Sequence, residues 1–220
     1  MHYMNERPFP KLKVCGITTL EDARFAAGAM VDYLGFVFAS ESPRNIPPRE
    51  AEEICKWIQG PEKVGVFVNQ SPDEVNAIVE RAGLDLVQLH GDESIAMAKE
   101  LNAPVIKVFR IREESDLPEI RNQIELWDSV AKFYLFDSRS DNMYGGTGET
   151  WDWSMLSTLS PEKPFLLAGG ISAVNFTDAI RSASPYGIDL SSSLEESPGV
   201  KDFDKMHTFF EAWNALRDTY

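Results

Sequence analysis

The chain reads as an α/β protein, a single (β/α)8 barrel of the TIM-barrel type, and three observations lead there. Eight short runs rich in Val, Ile, Leu, Phe and Tyr recur along the 220 residues. Each is nearly continuously apolar, which suits strands buried on both faces, as in a parallel sheet. Their starts lie about 25 residues apart, which leaves room for one helix and two short loops in each interval. A doubly wound open sheet is the alternative, but eight even β/α units favour closure.

The expected strands, in order, are Lys11–Cys15, Tyr33–Phe38, Lys63–Val68, Leu86–His90, Val105–Arg110, Phe133–Asp137, Phe165–Ala168 and Ile188–Ser191. The first helix opens at Thr19, with Glu21 and Asp22 in its first turn, and Gly28 suits its C-cap. The second starts at Pro48, a residue tolerated in a first turn. Ser71-Pro-Asp-Glu74 is a capping-box pattern leading into Val75, Ile78 and Val79, and Gly83 is the stop. Asp92–Leu101, Ala173–Ser182 and Asp202–Leu216 read as further helices. Between residues 111 and 132 the pattern is weakest, and Pro118 places a helix start at or after itself. No low-complexity linker or composition shift divides the chain. One domain over residues 10–220 is expected, preceded by a loosely ordered extension over residues 1–9.

The 35 acidic and 21 basic residues give a net charge of −14. Such a surface repels nucleic-acid backbones and anionic lipid, so neither is an expected partner. A small anionic ligand stays open, because a few oriented amides and one cation can override a weak overall field. No apolar stretch is long enough to cross a membrane. The N-terminal MHYMNERPFPK lacks the apolar core of a secretory signal. The two cysteines, Cys15 and Cys55, make no disulfide framework and suit a reducing, cytoplasmic setting. His2, His90 and His207 are scattered, and no metal-ligand spacing occurs. Monomer and homodimer are equally open.

In a barrel of this kind chemistry gathers where strands end and βα loops begin. Glycine and serine concentrate after strands 6, 7 and 8: Gly145, Gly146 and Gly148, then Gly169 and Gly170, then Ser191, Ser192 and Ser193. Such loops either make tight turns or bring backbone N–H groups close to a phosphate. Cys15 ends strand 1 beside Gly16 and is a small buried hydrophobe or a base or nucleophile. Asp137 follows the apolar Phe133–Phe136 run and is a turn aspartate or a general acid with a raised pKa. Strands 1 and 6 are not neighbours, so a base on one and an acid on the other would face each other across the mouth. Arg44, after Ser42-Pro43, is a surface arginine or a bidentate carboxylate ligand. His90 at the end of strand 4 either orients a substrate or satisfies a buried carbonyl.

Taken together the motifs resemble one family. Lys13-Val-Cys-Gly-Ile-Thr, Leu34-Gly-Phe-Val-Phe, Ser42-Pro-Arg, Val64-Gly-Val-Phe-Val-Asn, Val87-Gln-Leu-His-Gly, Gly145-Gly-Thr-Gly, Leu167-Ala-Gly-Gly and Asp189-Leu-Ser-Ser, then Glu195 and Pro198-Gly-Val-Lys-Asp202, follow the order of the phosphoribosylanthranilate isomerases. The resemblance spans about residues 11–205. It implies a metal-free barrel of tryptophan biosynthesis that needs no cofactor and takes a small phosphosugar substrate. The implied reaction turns N-(5-phosphoribosyl)anthranilate into 1-(o-carboxyphenylamino)-1-deoxyribulose 5-phosphate by an Amadori rearrangement. Cys15 matches the general base, Asp137 the general acid, and Arg44 the ligand of the anthranilate carboxylate. Gly146, Gly169, Gly170, Ser191 and Ser192 match the phosphate cradle, and Asp189 a supporting group near the aniline nitrogen. The family commonly has glycine where this chain has Ser193. The related histidine-pathway isomerase resembles a pattern with aspartate at the end of strand 1, which Cys15 argues against. A catalytically silent phosphosugar-binding barrel would lack the acid or the base, and both are present.

Overall fold

Lys11–Cys15 (β1) pairs in parallel with Tyr33–Val37 (β2) on one side and with Gly187–Leu190 (β8) on the other, and this closes the sheet. A computed structural model of the chain describes residues 8–138 and 152–220. The intervening strands are Glu62–Phe67 (β3), Leu86–Leu89 (β4), Val105–Ile111 (β5), Ala131–Ser138 (β6) and Phe165–Leu167 (β7), each pairing with the next. Parallel neighbours have no solvated face, which is why these runs read as continuously apolar. All eight expected strands form, with ends within two residues of the sequence reading.

Two cores result. Outward-facing residues such as Leu12, Val14, Leu34 and Phe36 pack under the helices. Inward-facing Val64, Leu86, Ile106, Val108, Leu135 and Leu166 fill the barrel itself. Both sets are large and almost fully buried, and at about 25 cal/mol per Å² they supply the main drive to fold.

The helices are Leu20–Gly28 (α1), Pro48–Trp57 (α2), Pro72–Ala82 (α3), Ile95–Ala98 (α4), Leu117–Trp127 (α5), Leu156–Leu159 (α6), Phe176–Ala183 (α7) and Phe203–Arg217 (α8). Thr19 accepts from Asp22 N, the Ser71/Glu74 capping box is complete, and Gly83 ends α3. Four expectations need correction. Gly28 is the last residue of α1 rather than its cap, and Met30 takes the positive φ of 59° instead. The expected helix over 92–101 shrinks to one turn. Glu93 is drawn off to accept from Asn69 N, Gly91 N and Lys107 Nζ, and Ser94 caps what remains. The helix expected from Ala173 starts at Phe176, because the Asn175 side chain holds the preceding loop through Ser172 N and Gly170 O. Pro118 lies inside the first turn of α5 rather than ahead of it, where its missing N–H costs nothing. After β8, Glu195–Ser197 (β9) and Val200–Lys201 (β10) form a small antiparallel hairpin over the mouth of the barrel.

Residues 1–7 and 139–151 lie outside the described part. Phe9, the last residue of the expected extension, packs edge-on against Trp213 and Tyr220 at 4.7 and 5.2 Å. No helix of the described residues is long and apolar enough to cross a membrane.

Candidate active site

Strand alternation decides what reaches the mouth. Residues two apart share a face, so Lys13 and Cys15 of β1 enter the barrel together, as do Gln88 of β4 and His90 immediately after that strand. Asp137 of β6 and Asp189 of β8 arrive by the same rule. A cleft with about 740 Å³ of atom-free space, part of it open to solvent, lies over these positions. Cys15, Arg44, His90, Asp137, Gly169, Gly170, Asp189, Ser191 and Ser192 all line it. The sequence reading placed these nine residues at one site, and the fold brings them to one cleft. Gly146, with its neighbours Gly145 and Gly148, lies outside the described residues.

Asp137 is buried across the mouth from Cys15. Burial, reinforced by the charge of Asp189, pushes its carboxyl up to about 7, against the pull of Ser138 N–H, Lys13 and Arg110. It is therefore half-protonated near neutrality. Its neighbour His90 is the reverse. Burial and the cations Arg110, Lys13 and Lys107 hold the imidazole down at about 3, so it is neutral. Gln88 Nε2 stands 3.3 Å from His90 Nδ1. His90 Nε2 lies 3.6 Å from Asp137 Oδ2, beyond hydrogen-bond distance, and has no hydrogen-bond partner among the described residues. With the imidazole neutral, this contact is not an ion pair.

Arg44 is no surface arginine, being 5% exposed. Its Nε and Nη2 donate to the two oxygens of Glu195 at 2.9 and 2.7 Å. Lys201 Nζ completes the cluster, donating to Glu195 Oε1 at 2.9 Å, to Cys15 O at 2.6 Å and to Ser191 O at 3.3 Å. The β9–β10 hairpin thus ties the loop after β2 to the end of β1. The guanidinium has five N–H bonds, and the fork to Glu195 leaves others to face the cleft.

At the far end of the cleft Gly169 and Gly170 take φ of 86° and 68°. A Cβ on Gly169 would lie 2.7 Å from Ser138 N, so glycine is required there by both conformation and space. Ser191, Ser192 and Ser193 face them from the loop after β8. Ser193 stays out of the left-handed region, so it carries no backbone strain in place of glycine. Its Oγ is buried and has no partner among the described residues. Between the two ends runs an apolar wall of Val37, Ala39, Val66 and Val68.

Four polar residues of the site, Lys13, Gln88, Glu195 and Lys201, lie in the quoted motifs but were given no role in the sequence reading. A signal existed for the first two. Each is polar in an apolar strand, two residues before a marked site residue. For Glu195 and Lys201 only the hairpin reveals the role.

The model of the family described as N-(5'phosphoribosyl)anthranilate (PRA) isomerase matches residues 12–212. The chain belongs to the N-(5'-phosphoribosyl)anthranilate isomerase family. The isomerase of Geotalea uraniireducens (strain Rf4) is 44% identical over 207 residues, covering 94% of this chain and 99% of that one. The isomerase of Rubrobacter xylanophilus is 41% identical over 92% of this chain and 98% of its own. The crystal structure of phosphoribosyl anthranilate isomerase from Thermotoga maritima superposes with a TM-score of 0.85 at 33% identity, covering 94% of this chain and all of that one. A further crystal structure of such an isomerase, in complex with reduced 1-(o-carboxyphenylamino)-1-deoxyribulose 5-phosphate, gives 0.82 at 31% identity over the same shares. Among the described residues of this family member, no group of three or more His, Cys, Asp or Glu could hold a metal ion.

Proposed function

We propose that this chain catalyses the Amadori rearrangement of N-(5'-phosphoribosyl)anthranilate in the cytoplasm, with Cys15 as general base and Asp137 as general acid. The observation that carries the assignment is the pair itself. A thiol and a carboxyl held half-protonated near neutrality face one cleft from non-adjacent strands. Asp137 delivers its proton to the furanose ring oxygen, and the C1–O bond breaks to leave the open-chain Schiff base. The Cys15 thiolate takes the proton from C2, and the electron pair of that bond neutralises the iminium nitrogen, giving an enolamine. Loss of the O2 proton and gain of one at C1 then yield the ketone. Atoms and electrons balance without an oxidant.

The rest of the cleft supports this substrate. Gly169, Gly170, Ser191 and Ser192 cradle the phosphate, and the free Ser193 hydroxyl adds a donor. Arg44, held rigid by Glu195, binds the anthranilate carboxylate through its remaining N–H groups. The valine wall receives the aromatic ring, and Asp189 lies near the aniline nitrogen.

The test is fluorescence-monitored turnover of freshly generated phosphoribosylanthranilate by chelator-treated protein. Cys15→Ser is expected to lower kcat by about 10²–10⁴-fold with an unchanged fold. Wild-type turnover in that variant would remove the base assignment. A folded wild type without turnover would move the assignment to the histidine-pathway substrate.

A further inference from the structure

Lys13 has no exposed surface, although it sits in the middle of β1 with a full charge. A buried ammonium is costly unless it is paired. One of its three N–H bonds goes to Asp189 Oδ2 at 2.9 Å, between side chains 0% and 8% exposed. Its other neighbour is the sulfur of Cys15, on the same face of the same strand. Gly35, beside Cys15 in the register of β2, makes the approach feasible. A Cβ at Gly35 would lie 2.6 Å from Cys15 Sγ and 3.1 Å from Lys13 Nζ. Thiol and ammonium share the space that any side chain at that position would fill.

The other charges around Cys15 are committed elsewhere. Lys201 of β10 gives its hydrogen bonds to Cys15 O, Ser191 O and Glu195. Arg44, from the loop after β2, forks onto Glu195 of β9. Asp189 of β8 is paired with Lys13, and its Oδ1 is buried without a partner among the described residues. Across the mouth, His90 is neutral and Asp137 is half-protonated near neutrality. β2 brings no charged group, only Gly35 and Val37.

We propose that Lys13 is a positioning residue for the isomerisation, holding the Cys15 sulfur as a thiolate while Asp189 holds Lys13. The proposal rests on Cys15 being the base. Lys13 stays protonated throughout. The proton from C2 goes to Sγ, and the Lys13–Asp189 pair remains neutral as the thiolate is discharged. Burial dominates and leaves the Cys15 thiol above its ordinary value, and Lys13 is the largest influence drawing it back down.

The test is the pH dependence of Cys15 alkylation by iodoacetamide, followed by mass spectrometry in a Cys55→Ser background. Wild type, Lys13→Met and Lys13→Met/Asp189→Asn are compared. The Lys13→Met midpoint should rise by about one pH unit or more. kcat/KM at pH 7 should fall about tenfold or more, and the acid limb of its pH profile should rise with the midpoint. The double variant, which removes both charges together, should keep a raised midpoint. An unchanged midpoint in a folded variant overturns the proposal even where activity is lost, because that loss would then be structural. If Lys13→Met does not fold, the double variant carries the comparison. The wild type gives a reading that needs no charge variant. Its Lys13 ¹⁵Nζ resonance must shift through the Cys15 titration, and a resonance blind to it also overturns the proposal. Failure of the underlying reading is separate: Cys15→Ser would then keep its turnover, whatever the alkylation midpoint does.

Discussion

Asp137→Asn should give a protein that is nearly inactive and, at alkaline pH, more stable than its parent. The carboxyl titrates at about 7 when folded against an ordinary 3.8. Its folded pKa lies above its unfolded one, so the native state binds the proton more tightly. The associated stability is complete below about pH 4 and is lost as pH rises through 7. About 3 units at 1.36 kcal/mol each make the ionised carboxylate a penalty of about 4 kcal/mol at pH 8. At pH 5 the same group costs only about 2 kcal/mol. An amide of the same shape carries no such dependence. For a chain of this size 4 kcal/mol corresponds to about 10 °C in Tm. Melting curves of wild type and variant at pH 5, 6, 7 and 8 should therefore diverge as pH rises, the variant gaining. Turnover should fall by about 10²–10⁴-fold, since the amide has no proton to deliver. A Tm difference that stays constant from pH 5 to pH 8 would refute the reasoning, because Asp137 would then titrate alike in both states.

Three further changes test other parts of the cleft. Gly35→Ala puts a methyl 2.6 Å from Cys15 Sγ and should cut kcat by about a hundredfold by displacing the sulfur, while circular dichroism stays unchanged. Glu195→Gln leaves Arg44 and Lys201 without their shared carboxylate. It should cost about 3–5 kcal/mol in a denaturant melt and raise KM as Arg44 loosens. Ser193→Gly removes the unpartnered hydroxyl and should raise KM about tenfold with kcat unchanged, as a lost bond to a charged group would.

The barrel was legible because parallel strands leave a strong trace: eight apolar runs at roughly even spacing, most of them closed by Gly, Ser, Asp or His. Long helices with complete start and stop signals, such as α3 between Ser71 and Gly83, were legible too. Short ones were not. Local propensity at 92–101 supports three turns of helix, but tertiary bonds to Glu93 take all but one. α6 is a single turn and gives too little periodicity to detect. The site was legible wherever a polar residue ends a strand, since the fold then fixes its location. Lys13 escaped because it precedes the strand end and alternates with the half-exposed Lys11, from which the sequence alone does not distinguish it. Only closure onto β8, which brings Asp189 to it, tells the two lysines apart.

That closure also explains how a protein carrying −14 overall would accommodate the proposed substrate, whose phosphate and carboxylate are both anionic. The surface charge lies outside the helices and is screened over about 10 Å at ordinary salt. Inside the mouth the charges nearly cancel. Lys13, Arg44 and Lys201 contribute three positive charges, Asp189 and Glu195 two negative ones, and Asp137 about half of one near pH 7. With Cys15 as a thiol the balance is slightly positive and with its thiolate slightly negative, so the mouth is close to neutral before any substrate enters. The Gly169–Gly170 turn and the serine loop add N–H and O–H donors without adding charge. Each cation is paired to a carboxylate before binding, so none has to reorganise when phosphate and carboxylate arrive. The pairing also keeps the cleft from being so cationic that Asp137 would ionise fully near pH 7. A net gain of one positive charge at Asp189, as in Asp189→Asn, should therefore lower the Asp137 carboxyl and weaken the acid even though that residue is untouched. The alkaline limb of the kcat profile should then move to lower pH, and an unmoved limb would show that the two carboxyls titrate independently.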